Sequence, residues 1–354
     1  MPSDTLEELL GPFLTAETVI VQVVATLSSM FLVYGLYTII FGLCIHVLYR
    51  RKQSGTGLYP TCTIALFALA TLFVSAEAFG LTRQSIVYFR ALKARDYEPL
   101  NEYLLQDDGR TTWVAMISFS FSFMNAIADV MLIHRAYILW ESNRIMLYAL
   151  ALPAFAINVT NFVVSVMLSV GMAKLSMRHV YDAAEPINTG VSIANAIFNA
   201  LLSLLTAGRI WWVSREARKL MGRGVHTKYK AIVAAILESG LLYPTTLLAS
   251  IVVPRVLDPR NEGLVPVDLG PIATLMSGLA PTLIIVRVAY GKPVESVQQM
   301  MSLRFAENGT QHGLGNMSVL QATIDIRSRP QNEVMEIDLE APGSEGKTSG
   351  TQMT

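Results

Sequence analysis

Three carboxylates lie inside long apolar stretches of this chain: Glu77, Asp129 and Glu238. An unpaired Asp at the centre of a membrane-inserted helix costs about 2.5 to 3.5 kcal/mol on insertion scales. Residues tolerated at that cost have few uses. They hold a proton or a cation, line a path for ions, or accept hydrogen bonds from neighbouring amides as an internal lock. An internal lock and a role in signalling or transport are both open for each of the three.

Amides and hydroxyls recur around these carboxylates at helical spacing. Ser118, Ser122, Asn125 and Asp129 form one stripe; Asn158, Asn161, Ser165 and Ser169 a second; Ser192, Asn195, Asn199 and Ser203 a third. Steps of three and four put each set on one face of a helix. In a membrane such a face turns toward other helices, where its groups find partners. The stripes are expected to converge on one polar core, with Glu77, Ser122, Asn125, Asp129, Asn158, Asn161, Asn195, Asn199 and Glu238 as its candidate members. Such a core is either a ligand or ion cavity or a set of interhelical hydrogen bonds that only holds helices together.

A second constellation is basic and aromatic. His134, Arg135 and Tyr137 precede Trp140, and Arg209, Trp211, Trp212, Arg215, Arg218 and Lys219 lead into Arg223, Lys228 and Lys230. These residues could couple to an acidic cytosolic partner. Equally, they could snorkel to lipid headgroups with the aromatic rings as interfacial anchors. The five histidines, His46, His134, His179, His226 and His312, are scattered without metal-ligand spacing. No triad or phosphate-binding loop is visible, so neither an enzyme nor a cofactor is expected. Cys44 and Cys62 sit beside Arg50, Arg51 and Lys52; on a cytosolic face both are expected as thiols without a disulfide, with palmitoylation of either as the alternative.

The elements that carry these groups follow from composition. Of 354 residues, 52% are hydrophobic and 15% charged, whereas soluble domains carry charge on about 25% of residues. The deficit implies a surface that faces lipid. The formal net charge is zero, and nothing suggests nucleic acid binding. A membrane helix needs about 20 apolar residues, and seven segments supply them: Val19 to Tyr49, Thr61 to Thr82, Trp113 to Trp140, Ile145 to Gly171, Thr189 to Val213, Ala231 to Val253 and Leu269 to Tyr290. The first is too long, and too acidic in its preceding residues, for a cleaved signal peptide. Pro244 and Pro281 fall inside the last two spans, where kinks are expected.

Lys and Arg around the first, third and fifth connections and after the seventh span outnumber those on the opposite side. This predicts an extracytosolic N-terminus and a cytosolic C-terminus. The expected architecture is an all-α seven-transmembrane bundle. Residues 1–18 form the extracytosolic N-terminus, 19–290 the bundle, 291–305 an amphipathic helix in the inner interface, and 306–354 a disordered cytosolic tail. The segment from Arg83 to Arg110 is expected to continue the second helix to about Ala94 and then form a structured outer loop.

Four stretches, His134 to Trp140, Thr206 to Trp212, Glu238 to Pro244 and Ala280 to Arg287, give the chain a resemblance to uncharacterised seven-helix proteins of basidiomycete fungi that are similar to G-protein-coupled receptors. In layout the resemblance covers roughly Val19 to Arg287. It implies a receptor-like membrane protein, with a heterotrimeric G protein as a possible partner, and brings no established ligand. The chain lacks the Asn, Pro and Tyr pattern of rhodopsin-like receptors in its seventh span. None of its spans has a central Lys for retinal. The expected function is an orphan receptor, in the plasma membrane, that senses a small or lipid-like ligand and signals through the basic fifth connection and the tail. The alternative is a carrier that uses Glu77, Asp129 and Glu238 as an ion or proton path.

Overall fold

In a computed structural model, residues 17–50, 57–94, 99–100, 103, 107–173, 177–221, 223–258 and 265–287 are described. They form seven helices long and apolar enough to cross a membrane. Helix α1 spans Gln22–Arg50 and is entered through a π-helical turn, Glu17–Val21. It is followed by α2 at Leu58–Ala94, α3 at Asp108–Leu139 and α4 at Arg144–Ala173. The last three are α5 at Arg178–Met221, α6 at Arg223–Leu257 and α7 at Gly270–Arg287. No strand occurs among the described residues. Helices are the expected outcome in hydrocarbon, because each satisfies its backbone donors and acceptors internally.

Side chains set several helix ends. Asp107 caps α3, its Oδ1 accepting from the Gly109 and Arg110 amides at 2.7 and 3.2 Å. Asn143 Oδ1 accepts from the Ile145 amide at 2.9 Å at the start of α4, and Asp268 Oδ1 from the Gly270 amide at 2.8 Å at the start of α7. Between α3 and α4 the chain reverses through Glu141 and Ser142, both in the left-handed region with φ of 58° and 60°.

The two ends of the bundle are conveniently called the Glu17 end and the Arg50 end. Met30 and Tyr37 of α1, Leu66 and Phe73 of α2, Met124 and Met131 of α3, and Leu275 and Leu279 of α7 form one buried cluster. Helix α7 is the most enclosed, with 67% of its span buried, against 17% for α1. Elsewhere the outward side chains are large and apolar, such as Leu32, Phe79, Leu152 and Phe155. A belt of that kind belongs against lipid tails. The chain is an integral membrane protein whose outer surface meets the bilayer.

Helix α2 continues past Thr82 through Arg83, Arg90 and Lys93 to Ala94, as its sequence predicts, since nothing in that stretch breaks a helix. Helices α5 and α6 outrun the sequence reading. Helix α5 begins at Arg178, passes Pro186, and continues past Val213 to Met221. Because α6 starts at Arg223, the basic fifth connection is not a loop. Its Arg, Lys, Ala, Leu and Met residues are good helix formers, and both helices extend through them. The interfacial helix expected at 291–305, the tail at 306–354 and residues 1–16 lie outside the described residues.

Between α2 and α3, Arg83 and Asp107 form an ion pair at 2.6 Å. Arg83 and Arg110 both lie over the Tyr103 ring, 5.7 and 5.9 Å from its centroid. Burial raises the Tyr103 phenol above its ordinary pKa, with the Arg110 charge opposing that shift. At the Glu17 end α2 is tied to the π-helical turn by Ser85 Oγ, which donates to the Val19 carbonyl at 2.7 Å.

Candidate functional site

The stripes on α3, α4 and α5 meet midway along the bundle. Asp129 of α3 accepts from Asn158 Nδ2 of α4 at 2.7 Å and from Asn199 Nδ2 of α5 at 3.2 Å. Asn199 Nδ2 also donates to Asn195 Oδ1 one turn earlier, at 3.0 Å. Asn195 Nδ2 donates to the Tyr243 hydroxyl of α6 at 2.8 Å, and that hydroxyl donates to Asn125 Oδ1 of α3 at 2.8 Å. Asn125 lies one turn from Asp129, so the bonds form a ring through α3, α5 and α6, with α4 joined through Asn158. Asp129, Asn125, Asn195 and Asn199 are each 1–2% exposed. A carboxylate so enclosed is held by two amide donors, and no basic side chain pairs with it among the described residues. Asn125 Nδ2 and Asn158 Oδ1 are buried atoms with no hydrogen-bond partner.

One turn toward the Glu17 end, Ser122 and Ser165 share a hydrogen bond at 2.9 Å, and Asn161 Nδ2 donates to Ser122 Oγ at 3.2 Å. Asn161 and Ser165 border a cavity of about 270 Å³. All of α2 to α7 contribute to its wall: Phe73 and Glu77 from α2, Ser118 and Phe121 from α3, Asn161 and Ser165 from α4, Asn188 and Ser192 from α5, Leu247 and Ser250 from α6, and Thr274 from α7. Asp268, just before α7, completes it. Among the described residues no three His, Cys, Asp or Glu side chains gather closely enough to hold a metal ion.

Glu77 is therefore set apart from Asp129: it lines the cavity, while Asp129 lies in the ring below. Glu238 joins neither. Its side chain is 69% exposed at the Arg50 end, where it pairs with Arg287 of α7 at 2.8 Å. The α6 face that carries Tyr243 into the bundle turns Glu238 outward, five residues earlier, so its inclusion in the polar core is corrected here. On α6 it is Tyr243 that enters the network. A Tyr counts as apolar in a periodicity argument, and only its hydroxyl, directly before Pro244, hints at a buried partner. Asp268 was also missed, because it falls just outside the expected span; an Asp placed to cap a helix was its only signal.

At the Arg50 end, His134 Nδ1 meets the Tyr59 hydroxyl of α2 at 3.1 Å, while Arg135 and Tyr137 are half-buried. Arg209 of α5 lies between two indoles, 5.3 Å from the Trp140 ring and 4.8 Å from the Trp212 ring. Its Nη2 also donates to Glu141 at 2.8 Å, so it ties α5 to the turn after α3. Arg215 is exposed with its guanidinium over Trp211 at 5.8 Å. Arg218 and Lys219 fall within α5. Cys44 and Cys62 are free thiols, Cys44 fully buried.

No family model matches the chain, and no curated protein or solved structure matches it either.

Proposed function

We propose that this chain is a seven-helix receptor-like membrane protein, oriented with its N-terminus outside, that binds a small ligand in the cavity and signals at the Arg50 end. The observation that carries the reading is the stacking of two layers. A cavity walled by α2 to α7 shares Asn161 and Ser165 with a polar layer whose next turn is the Asp129, Asn199, Asn195, Tyr243 and Asn125 ring. A ligand that shifts one wall perturbs bonds joining α3, α4, α5 and α6, and hydrogen-bonded layers of this kind have discrete arrangements a ligand can bias. The charge asymmetry of the connections supports the orientation, and the plasma membrane is the proposed location. A heterotrimeric G protein, meeting Arg135, Arg209, Arg215, Arg218 and Lys219, is the proposed cytosolic partner.

A carrier is the second reading, favoured by two buried carboxylates, Glu77 and Asp129. Against it, Asp129 is bonded by two amides and Glu238 is exposed and paired, which leaves no file of three acidic groups along one path. Reconstitution in vesicles separates the two readings. The receptor reading expects accelerated guanine-nucleotide exchange on the host G protein, lost on Arg135→Ala, with no cation or proton flux. A flux that disappears on Asp129→Asn would overturn it.

A further inference from the structure

We infer that the cavity takes a small organic cation, a primary or secondary amine with a short apolar body, seated on the Glu77 carboxylate. The inference rests on the reading of the cavity as a ligand site and names the ligand's chemistry. Glu77 is only 8% exposed, yet no hydrogen bond or ion pair engages its carboxylate among the described residues. Glu77 lines the cavity. A carboxylate in that setting lacks a countercharge, and a ligand is the one source of it that the wall does not supply.

The rest of the wall repeats the sign. Asp268 is a second carboxylate on the same cavity, and among the described residues only the Gly270 amide bonds to it. None of the described lining residues is Lys or Arg, so the wall repels anions and leaves a cation unopposed. Among the described residues no third acidic, His or Cys side chain joins the two carboxylates, so the wall shows no dense set of metal ligands. An amine needs one ion pair and a few hydrogen-bond acceptors, which the hydroxyls and amides around Glu77 supply. Phe73, Phe121 and Leu247 offer the apolar contact for its body, with the two rings also able to face a cation. A volume of about 270 Å³ lies at the low end of small-molecule sites, so the ligand is small.

The test uses the full chain in lipid nanodiscs, with n-hexylamine, 1-hexanol and hexanoate as matched probes, and reads the thermal unfolding midpoint. Hexylamine should raise the midpoint more than hexanol, hexanoate should not raise it, and the hexylamine increment should vanish in Glu77→Gln and shrink in Asp268→Asn. A second measurement does not depend on either variant folding. In a Cys44→Ser, Cys62→Ser background, Ser192→Cys should react at least about tenfold faster with a trimethylammonium-bearing methanethiosulfonate than with its sulfonate counterpart, as a nearby uncompensated carboxylate implies. Equal stabilisation by hexylamine and hexanol, with equal rates for the two reagents, overturns the cationic ligand and leaves a ligand cavity standing. No stabilisation by any probe, with Ser192→Cys inert to both reagents, removes the ligand cavity itself.

Discussion

The Tyr243 hydroxyl of α6 donates to Asn125 Oδ1 of α3 at 2.8 Å and accepts from Asn195 Nδ2 of α5 at the same distance. One oxygen of a buried side chain thus joins three helices. Removing it leaves two buried amide atoms, Asn125 Oδ1 and Asn195 Nδ2, without that partner, and each orphaned atom costs about 1–3 kcal/mol. Tyr243→Phe is therefore expected to lower the unfolding midpoint clearly. Tyr34→Phe is the control: its hydroxyl meets Thr71 Oγ1 at 2.9 Å, but Thr71 keeps its own bond to the Phe67 carbonyl. Equal losses in the two variants would show that the α6 link carries no special weight.

The seven spans were readable because a single physical requirement, enough apolar residues to cross hydrocarbon, writes itself into contiguous sequence. The stripes were readable for a related reason, since Asn and Ser at steps of three and four cannot face lipid cheaply. What a stripe cannot say is which residue on another helix answers it. Tyr243 was hidden because an amphipathic ring looks apolar in a window, and Glu238 was misplaced because a carboxylate at the start of a membrane span can turn outward to an arginine on the next helix. The pairing of Arg209 with Trp140 and Trp212 depends on three residues brought together only by the packing of α3 against α5.

Close packing of α2 on α3 depends on Gly80. A Cβ there would lie 2.5 Å from two carbons of the Trp113 indole, and a fused ring has no flexible end to withdraw. Gly80→Ala should destabilise by about 1–3 kcal/mol through overpacking. Gly35 has nothing within 4 Å of the same added atom, so Gly35→Ala should stabilise by about 0.5–1 kcal/mol through helix propensity. The opposite signs are read from paired thermal melts; a neutral Gly80→Ala would mean that the two helices separate easily.

Orientation has its own check. The sequons at Asn308 and Asn316 follow the last span and should remain unmodified on expression in a glycosylating host, while a sequon introduced between α2 and α3, near Leu100, should acquire a glycan. Mobility on gels before and after glycosidase treatment distinguishes the cases. Sugar on Asn308 or Asn316 would reverse the proposed sidedness and put the Trp140 and Arg209 cluster outside.

That cluster separates two kinds of attraction. Arg209 is 15% exposed and pairs with Glu141, which is 84% exposed; a pair with one partner so open to solvent is worth about 0–1 kcal/mol. The same guanidinium lies over Trp140 and Trp212, and partly desolvated cation–π contacts contribute about 0.5–2 kcal/mol each. Arg209→Ala should therefore cost well more than Glu141→Ala, which should barely change the melt. Arg209→Lys should fall between them, because an ammonium lacks the flat face that stacks between two indoles. Amide exchange at the turn after α3, where Trp140 and Ser142 donate back to Ala136 and Tyr137, should accelerate in Arg209→Ala and stay unchanged in Glu141→Ala. If Glu141→Ala proved as damaging as Arg209→Ala in both measurements, the ion pair and not the indole sandwich would be what fastens α5 to α3.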